Sequence, residues 1–260
     1  MSISVVIMSD AMQQWRASHY NQDAMLSFVE ITDSFTVSSS REPVSFAPDI
    51  EAQVDAIWAR AVEENPDLFD GTILHVAASD RSGLRCRPVS YRFFYAQQKE
   101  RSLRPAMRLV TVGVSGLVRL QGKVLVGTRA PFVTQCPNLF ELVPSGSLPA
   151  PAETGDWQQI DYCKQLLTEF YEETGIAEDF VDTLEPFLLV RDEFDAVVDI
   201  CCSIILKKLD VLTLLDRVRS AEYADLELIS WHQVMSMVNT APELWVSASR
   251  LMITHLGNCG

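Results

Sequence analysis

The chain has 260 residues, of which 48% are hydrophobic, and carries 21 Lys and Arg against 35 Asp and Glu, a net charge of -14. That balance repels a nucleic-acid backbone, whose binding needs clustered cations, so a duplex-binding role is excluded as an expectation. Its six cysteines show no C-x-x-C spacing and its four histidines lie far apart, which excludes a structural zinc site and a disulfide framework.

The first stretch, Val5 to Met8, reads as a short strand without the basic start of a secretory leader. No apolar run reaches the roughly 18 residues of a membrane span. The setting expected is soluble and cytoplasmic, with no membrane partner.

Ser27 to Val37 and Thr72 to Ala78 read as strands between polar breaks. Between them, Val54, Ile57, Trp58, Ala61 and Val62 recur at helical spacing, which predicts a helix over Asp49 to Asn65 stopped by Pro66. From Met107 the texture changes. Leu109 to Leu120 and Lys123 to Thr128 read as two strands joined by a tight Gln121-Gly122 turn.

Phe132 to Leu139 is then a loop, Phe140 to Val143 a short strand, Pro144 to Ser147 a turn, and Ser147 to Trp157 an exposed loop. Ile160 to Thr174 reads as a helix with an apolar face of Ile160, Cys163, Leu166, Leu167, Phe170 and Tyr171, and with Gly175 as its stop. Phe187 to Val190 and the nearly continuous apolar run Val197 to Leu206 read as strands, the second buried on both faces. Trp231 to Val238 and Ala241 to Leu256 close the chain as helices.

Within the Ile160 helix, Glu169, Glu172 and Glu173 stand at i, i+3 and i+4, so three carboxylates crowd within one turn. Like charges this close repel, and a divalent cation would turn the repulsion into coordination. A solvated acidic surface has the same spacing, so the cluster alone leaves both readings open.

The surrounding pattern adds a resemblance. A hairpin, a strand running into Val143-Pro144-Ser145-Gly146, and a helix ending Thr168-Glu169-Phe170-Tyr171-Glu172-Glu173-Thr174-Gly175-Ile176 resemble the Nudix hydrolase family, whose helix reads R-E-U-x-E-E-x-G-U with U a bulky apolar residue. The match falls on Glu169, Phe170, Glu172, Glu173, Gly175 and Ile176. It departs at Thr168, where the family has Arg, and in spacing: Thr168 lies 22 positions after Gly146, where the family has about 14. The early signature glutamate has no counterpart by count, since Ala152 falls there beside Glu153.

Shorter blocks, Ile57-Trp58, Asn65 to Gly71 and Val89-Ser90-Tyr91-Arg92, resemble the layout of the UDP-sugar-cleaving Nudix subgroup. The resemblance implies an α/β fold, a Nudix α/β/α sandwich with a mixed sheet over 106–260, preceded by an N-terminal α+β extension over 1–105. It implies a Mg²⁺-dependent hydrolase (Mn²⁺ also serving) that cleaves a nucleoside diphosphate derivative, a UDP-sugar first, and releases a nucleoside monophosphate. Glu169, Glu172 and Glu173 would be both the catalytic residues and the metal ligands, with Arg92, Arg129 and Gly146 at the substrate. Arg108 is a further candidate for phosphate, and Glu222 or Glu227 for a late carboxylate. A homodimer is the family's expectation. Because of Thr168, the alternative is a catalytically weak or inactive Nudix-fold protein that binds a nucleotide or regulates.

Overall fold

The computed structural model describes residues 25–133, 135–151, 158–207 and 222–258. Val5 to Met8, Glu153 and the end of the expected Ser147 to Trp157 loop lie outside them. Twelve strands among the described residues form one hydrogen-bonded sheet. Its pairing is mixed, antiparallel for the most part but parallel where β5 (Thr111–Leu120) meets β11 (Val197–Leu206) and where Thr36–Ser39 meets Gly83–Ser90.

The early region enters that sheet directly. Where one strand is predicted over Ser27 to Val37, two form, β1 (Leu26–Glu30) and β2 (Thr36–Ser39). A turn closed by the Phe35 N–H on the Thr32 carbonyl, 2.8 Å, separates them. The break lets β1 pair with β10 (Val181–Asp192) while β2 turns to β4 (Gly83–Ser90) and β9 (Gln158–Ile160). The helix expected at Asp49 is α1 (Pro48–Glu64), with proline in its first turn, where a missing N–H costs nothing. β3 (Thr72–Asp80) pairs with β4, and α2 (Tyr91–Lys99) follows β4 at once. Neither β4 nor α2 is predicted by the apolar patterning.

β5 and β6 (Lys123–Arg129) form the expected hairpin, with positive φ at both Gln121 and Gly122, as a two-residue turn of this hand requires. They pair only at Arg119 and Leu120 before diverging. The freed edge of β5 needs another partner, and the predicted Pro144 to Ser147 turn supplies it as β8 (Ser145–Ser147). β7 (Phe140–Leu142) and β12 (Tyr223–Ser230) flank β6.

The expected helix over Ile160 to Thr174 begins later, as α3 (Tyr162–Thr174). Ile160 stays in β9, and the Asp161 side chain caps the helix by accepting the Lys164 N–H at 2.9 Å. Gly175 ends it in the left-handed conformation, as expected. Tyr171, expected on the apolar face, is 58% exposed; the buried face is made by Tyr162, Leu166, Phe170, Glu173 and Thr174. β10 runs longer than the predicted Phe187 to Val190, passing through a register shift beside Pro186, which cannot donate to the ladder. At the end of the chain, α4 (Trp231–Thr240) is as expected. The second closing helix instead splits, a single turn at Pro242–Leu244 preceding α5 (Ser247–Asn258), because the Val246 N–H bonds to the Phe140 carbonyl at 2.9 Å.

Alternation along β5 and β11 explains the layers. Val112, Val114 and Val118 with Ile200, Cys202 and Ile204 join Leu166 and Phe170 of α3 in one core. On the other face, Leu117 and Cys201 join Val234 of α4 and Met252 of α5 in a second. The result is an α/β/α sandwich about a mixed sheet, the fold class expected. No helix among the described residues is long and apolar enough to cross a membrane.

Candidate active site

Where β6 and β8 leave the flank of β5, a cavity of about 700 Å³ opens. Its walls include Gly113 and Ser115 of β5, Gly146 of β8, Gln165 and Glu169 of α3, Asp199 of β11, Arg129, Glu141 and Glu222. Residues before the hairpin also contribute, among them Ile73, Tyr91 and Phe94.

The three helix glutamates part company. Helical geometry sets Glu169 and Glu173 one turn apart on the inward side, with Glu172 about 100° away from Glu173. Glu169 faces the cavity, held by the Gln165 amide, which donates to its Oε1 at 2.8 Å. Gly146 lies flat against it. A β-carbon built on Gly146 would stand 2.3 Å from the carboxyl carbon of Glu169, so the absence of a side chain is what lets strand and carboxylate approach. Glu173 is buried, accepting the Ser145 N–H at 3.3 Å and the Tyr223 hydroxyl at 3.5 Å. Glu172 is exposed and does not line the cavity.

Sequence reasoning missed the residues that complete this cluster. Glu141 is 4% exposed in the middle of β7, where it pairs with the Arg129 guanidinium and accepts the Tyr223 hydroxyl at 2.9 Å. Its signal was a lone acid between two apolar residues of a strand. Asp199 gives the same signal within the apolar run of β11. It sits opposite Gly113, whose missing side chain makes room for its carboxylate, and accepts a long hydrogen bond of 3.5 Å from Ser115 Oγ.

The electrostatics follow from burying several acids beside one base. Burial pushes the Glu173 carboxyl up to about 9, with Glu141, Glu222 and Glu169 adding repulsion. Burial also raises Glu169, against the Gln165 hydrogen bond, and Glu172 and Glu222 reinforce the rise. Glu222 is raised chiefly by burial, although Arg129 opposes it. Asp199 is pushed up to about 7 by burial and then by Glu141 and Asp192. Burial alone would lower Arg129, but the charge and hydrogen bond of Glu141 hold it firmly protonated.

The remaining expected residues are placed as follows. Arg129 is in the cavity wall but committed, its Nε donating to the Gln135 carbonyl at 3.0 Å while another nitrogen meets Glu141. Arg92 lies outside the cavity walls, paired with Asp55 at 3.0 Å and Asp70 at 3.7 Å. Arg108 is exposed beyond α2, and Glu227 is exposed on β12. Thr168 donates back to the Lys164 carbonyl at 3.1 Å, within its own helix.

Glu141 pairs with the one guanidinium here, while Glu141, Glu169 and Glu222 all repel Glu173, an excess of oxygen donors that suits a hard divalent cation. Among the described residues, no three acidic, histidine or cysteine side chains already converge at ligand spacing.

No protein-family model and no curated protein sequence matches the chain. Among solved structures it is similar to a MutT protein from Methanosarcina mazei Go1, at 18% identity over 56% of this chain and 92% of that one, with a TM-score of 0.39. It is similar to a Nudix hydrolase from Nitrosomonas europaea, at 15% identity over 57% and 90%, with a TM-score of 0.37. A putative Nudix hydrolase, Tm1382, is similar over 78% of this chain and 96% of its own, at 14% identity and a TM-score of 0.42. At these identities and scores the likeness carries no statement about activity.

Proposed function

We propose that this chain hydrolyses the diphosphate bond of a nucleoside diphosphate joined to a second moiety, a UDP-sugar first, and releases a nucleoside monophosphate. The observation that carries the reading is a crowd of carboxylates: Glu141, Glu169 and Glu222 line a cavity and all repel the buried Glu173, while Glu141 alone is paired with the Arg129 guanidinium. A divalent cation would relieve the mutual repulsion of such a cluster. The helix residues that resemble the Nudix signature supply two of its members.

Glu169 and Glu173 would hold Mg²⁺, or Mn²⁺, with Glu222 within the same field, after side-chain rotations that bring their oxygens together. A divalent cation there supplies Lewis-acid neutralisation of the charge on the diphosphate. Glu169, fixed by Gln165 and pressed on Gly146, would take the proton of an attacking water. Arg129 and Tyr223 hold Glu141 in place, so Arg129 acts on the acid cluster and leaves phosphate contact to other groups.

A second reading is a nucleotide-binding protein without turnover. It is favoured by Thr168, which spends its hydroxyl on its own helix and gives no acid an ionic partner. One experiment separates the two. A panel of nucleoside diphosphate derivatives is incubated with Mg²⁺, and monophosphate release is followed by chromatography, with Glu169→Gln and Glu173→Gln as controls. Release from UDP-sugars that both variants abolish supports hydrolysis. Silence across the panel, with a ligand-induced rise in melting temperature, selects the binding reading.

A further inference from the structure

A second, smaller cavity of about 290 Å³ adjoins the first. The two share Tyr91, Phe94, Gln135, Cys136, Asp195 and Ser247 in their walls, so they form one continuous hollow with an annex. The chambers differ in chemistry. Beyond the shared Tyr91, Phe94 and Asp195, the first adds the carboxylates Glu141, Glu169, Asp199 and Glu222, whereas the annex adds the rings of Tyr95, Phe194 and Trp245 and the cations of Lys99 and Arg101.

We infer that the annex binds the nucleobase of a nucleotide whose phosphates lie in the acidic chamber. The inference rests on the proposed function for what occupies that chamber. Its own support is the construction of the annex. The guanidinium of Arg101 stands 3.9 Å from the centre of the Phe194 ring, and the Lys99 ammonium 5.4 Å from that of Tyr95. A guanidinium stacked on one ring offers its other face to a second flat π system, and aromatic faces accept any base.

The walls are also braced. Trp58 of α1 meets Tyr91 and Tyr95 edge-on, with ring centres at 6.2 and 5.5 Å. Gln98 joins α2 to the loop that carries Phe194, donating to the Asp195 carbonyl while accepting from Arg104 at 2.8 Å. Asp192 fixes the same loop by accepting the Phe194 and Asp195 N–H groups at 2.9 and 3.0 Å. Rings held from behind keep their spacing when a ligand leaves, which lowers the ordering cost of binding. Much of this wall comes from α2 and the turn after it, giving the region before the hairpin a role in choosing the substrate.

The test is equilibrium binding, which needs no turnover. Uridine and adenosine monophosphates are titrated into the full chain beside ribose 5-phosphate, which has the phosphate and sugar without the base. The nucleotides should bind about 10- to 100-fold tighter than ribose 5-phosphate, as base–aromatic stacking predicts. Phe194→Ala should erase most of that margin and leave ribose 5-phosphate binding unchanged, while Phe194→Tyr should restore it. Equal binding of nucleotide and ribose 5-phosphate, or a Phe194→Ala variant that keeps the full margin, overturns the annex. The hydrolysis reading fails separately: base-dependent binding without product release leaves the annex standing. Product release indifferent to Phe194→Ala does the reverse.

Discussion

Gly146 and Glu169 are in contact across the gap between β8 and α3, and a single added carbon on the glycine would overlap the glutamate carboxyl. The atom displaced is the far end of a flexible side chain, so the fold can yield cheaply while the site cannot. Gly146→Ala should therefore keep its melting temperature within a few degrees, a change of about 1 kcal/mol or less, and lose activity by about 10²-fold, the scale of a misplaced catalytic group. Thermal melts and kcat/KM on the same preparation check it. A variant that melts much earlier, or that keeps full activity, refutes the role given to this contact.

Arg129 and Arg92 should separate as a pair. Arg129 pairs with a buried acid, so Arg129→Ala leaves the Glu141 carboxyl without its cation and should cost about 3–5 kcal/mol. Arg92 holds Asp55 and Asp70 at a partly exposed surface, where an ion pair contributes about 1 kcal/mol or less. Arg92→Ala should leave kcat/KM within about twofold, because it lies outside the cavity walls. A large activity loss in Arg92→Ala at unchanged stability would bring it back to the substrate.

How far the site was legible depended on periodicity. Helix α3 and its stop at Gly175 follow from the sequence, and with them Glu169 and Glu173, because the apolar spacing and the glycine are local signals. The parting of Glu172 from Glu173 was harder to see: both sit at helical spacing from Glu169, and only the position of the sheet decides which side is inward. β8 was unreadable as a strand because three residues carry no period. It forms since β6 leaves β5 unpaired, a fact of tertiary structure. Glu141 and Asp199 were legible in principle, each a solitary acid inside an apolar strand, yet what they face lies far away in sequence. Gln165 could not be found by looking for an arginine beside Glu169, since it holds that carboxylate from one helical turn earlier.

Asp199 provides a pH test of stability. Its carboxyl is raised from the ordinary value near 3.8 to about 7, so the folded state holds a proton that the unfolded chain releases. The resulting loss of stability is absent below the unfolded pKa, grows as pH rises between the two values and is complete above about 7. Asp199→Asn removes it. The variant should match the parent in melting temperature near the acid end of that window and exceed it increasingly toward the other, by roughly 2–4 °C for each kcal/mol recovered. Parallel melting curves across the window would refute a raised Asp199.

Glu173 extends the same reasoning to the metal. In the metal-free protein its carboxyl is raised to about 9 by burial and by three neighbouring acids, so near neutral pH folding must keep it protonated. The penalty begins above the ordinary glutamate value of 4.5, deepens with rising pH and is complete only above about 9. Replacing the acid by its neutral isostere removes that cost, so Glu173→Gln without metal should be more stable than the parent at neutral pH, by on the order of 2 kcal/mol. Adding Mg²⁺ should reverse the ranking. The parent gains stability as the ion binds the folded state alone, by about 2.7 kcal/mol at a hundredfold excess over Kd, while the variant, short of one anionic ligand, gains little. Melting temperatures of both proteins with EDTA and with Mg²⁺ decide it. A parent indifferent to Mg²⁺ would mean that these carboxylates do not hold the ion, and a variant stabilised as much as the parent would mean that the ion is held without Glu173.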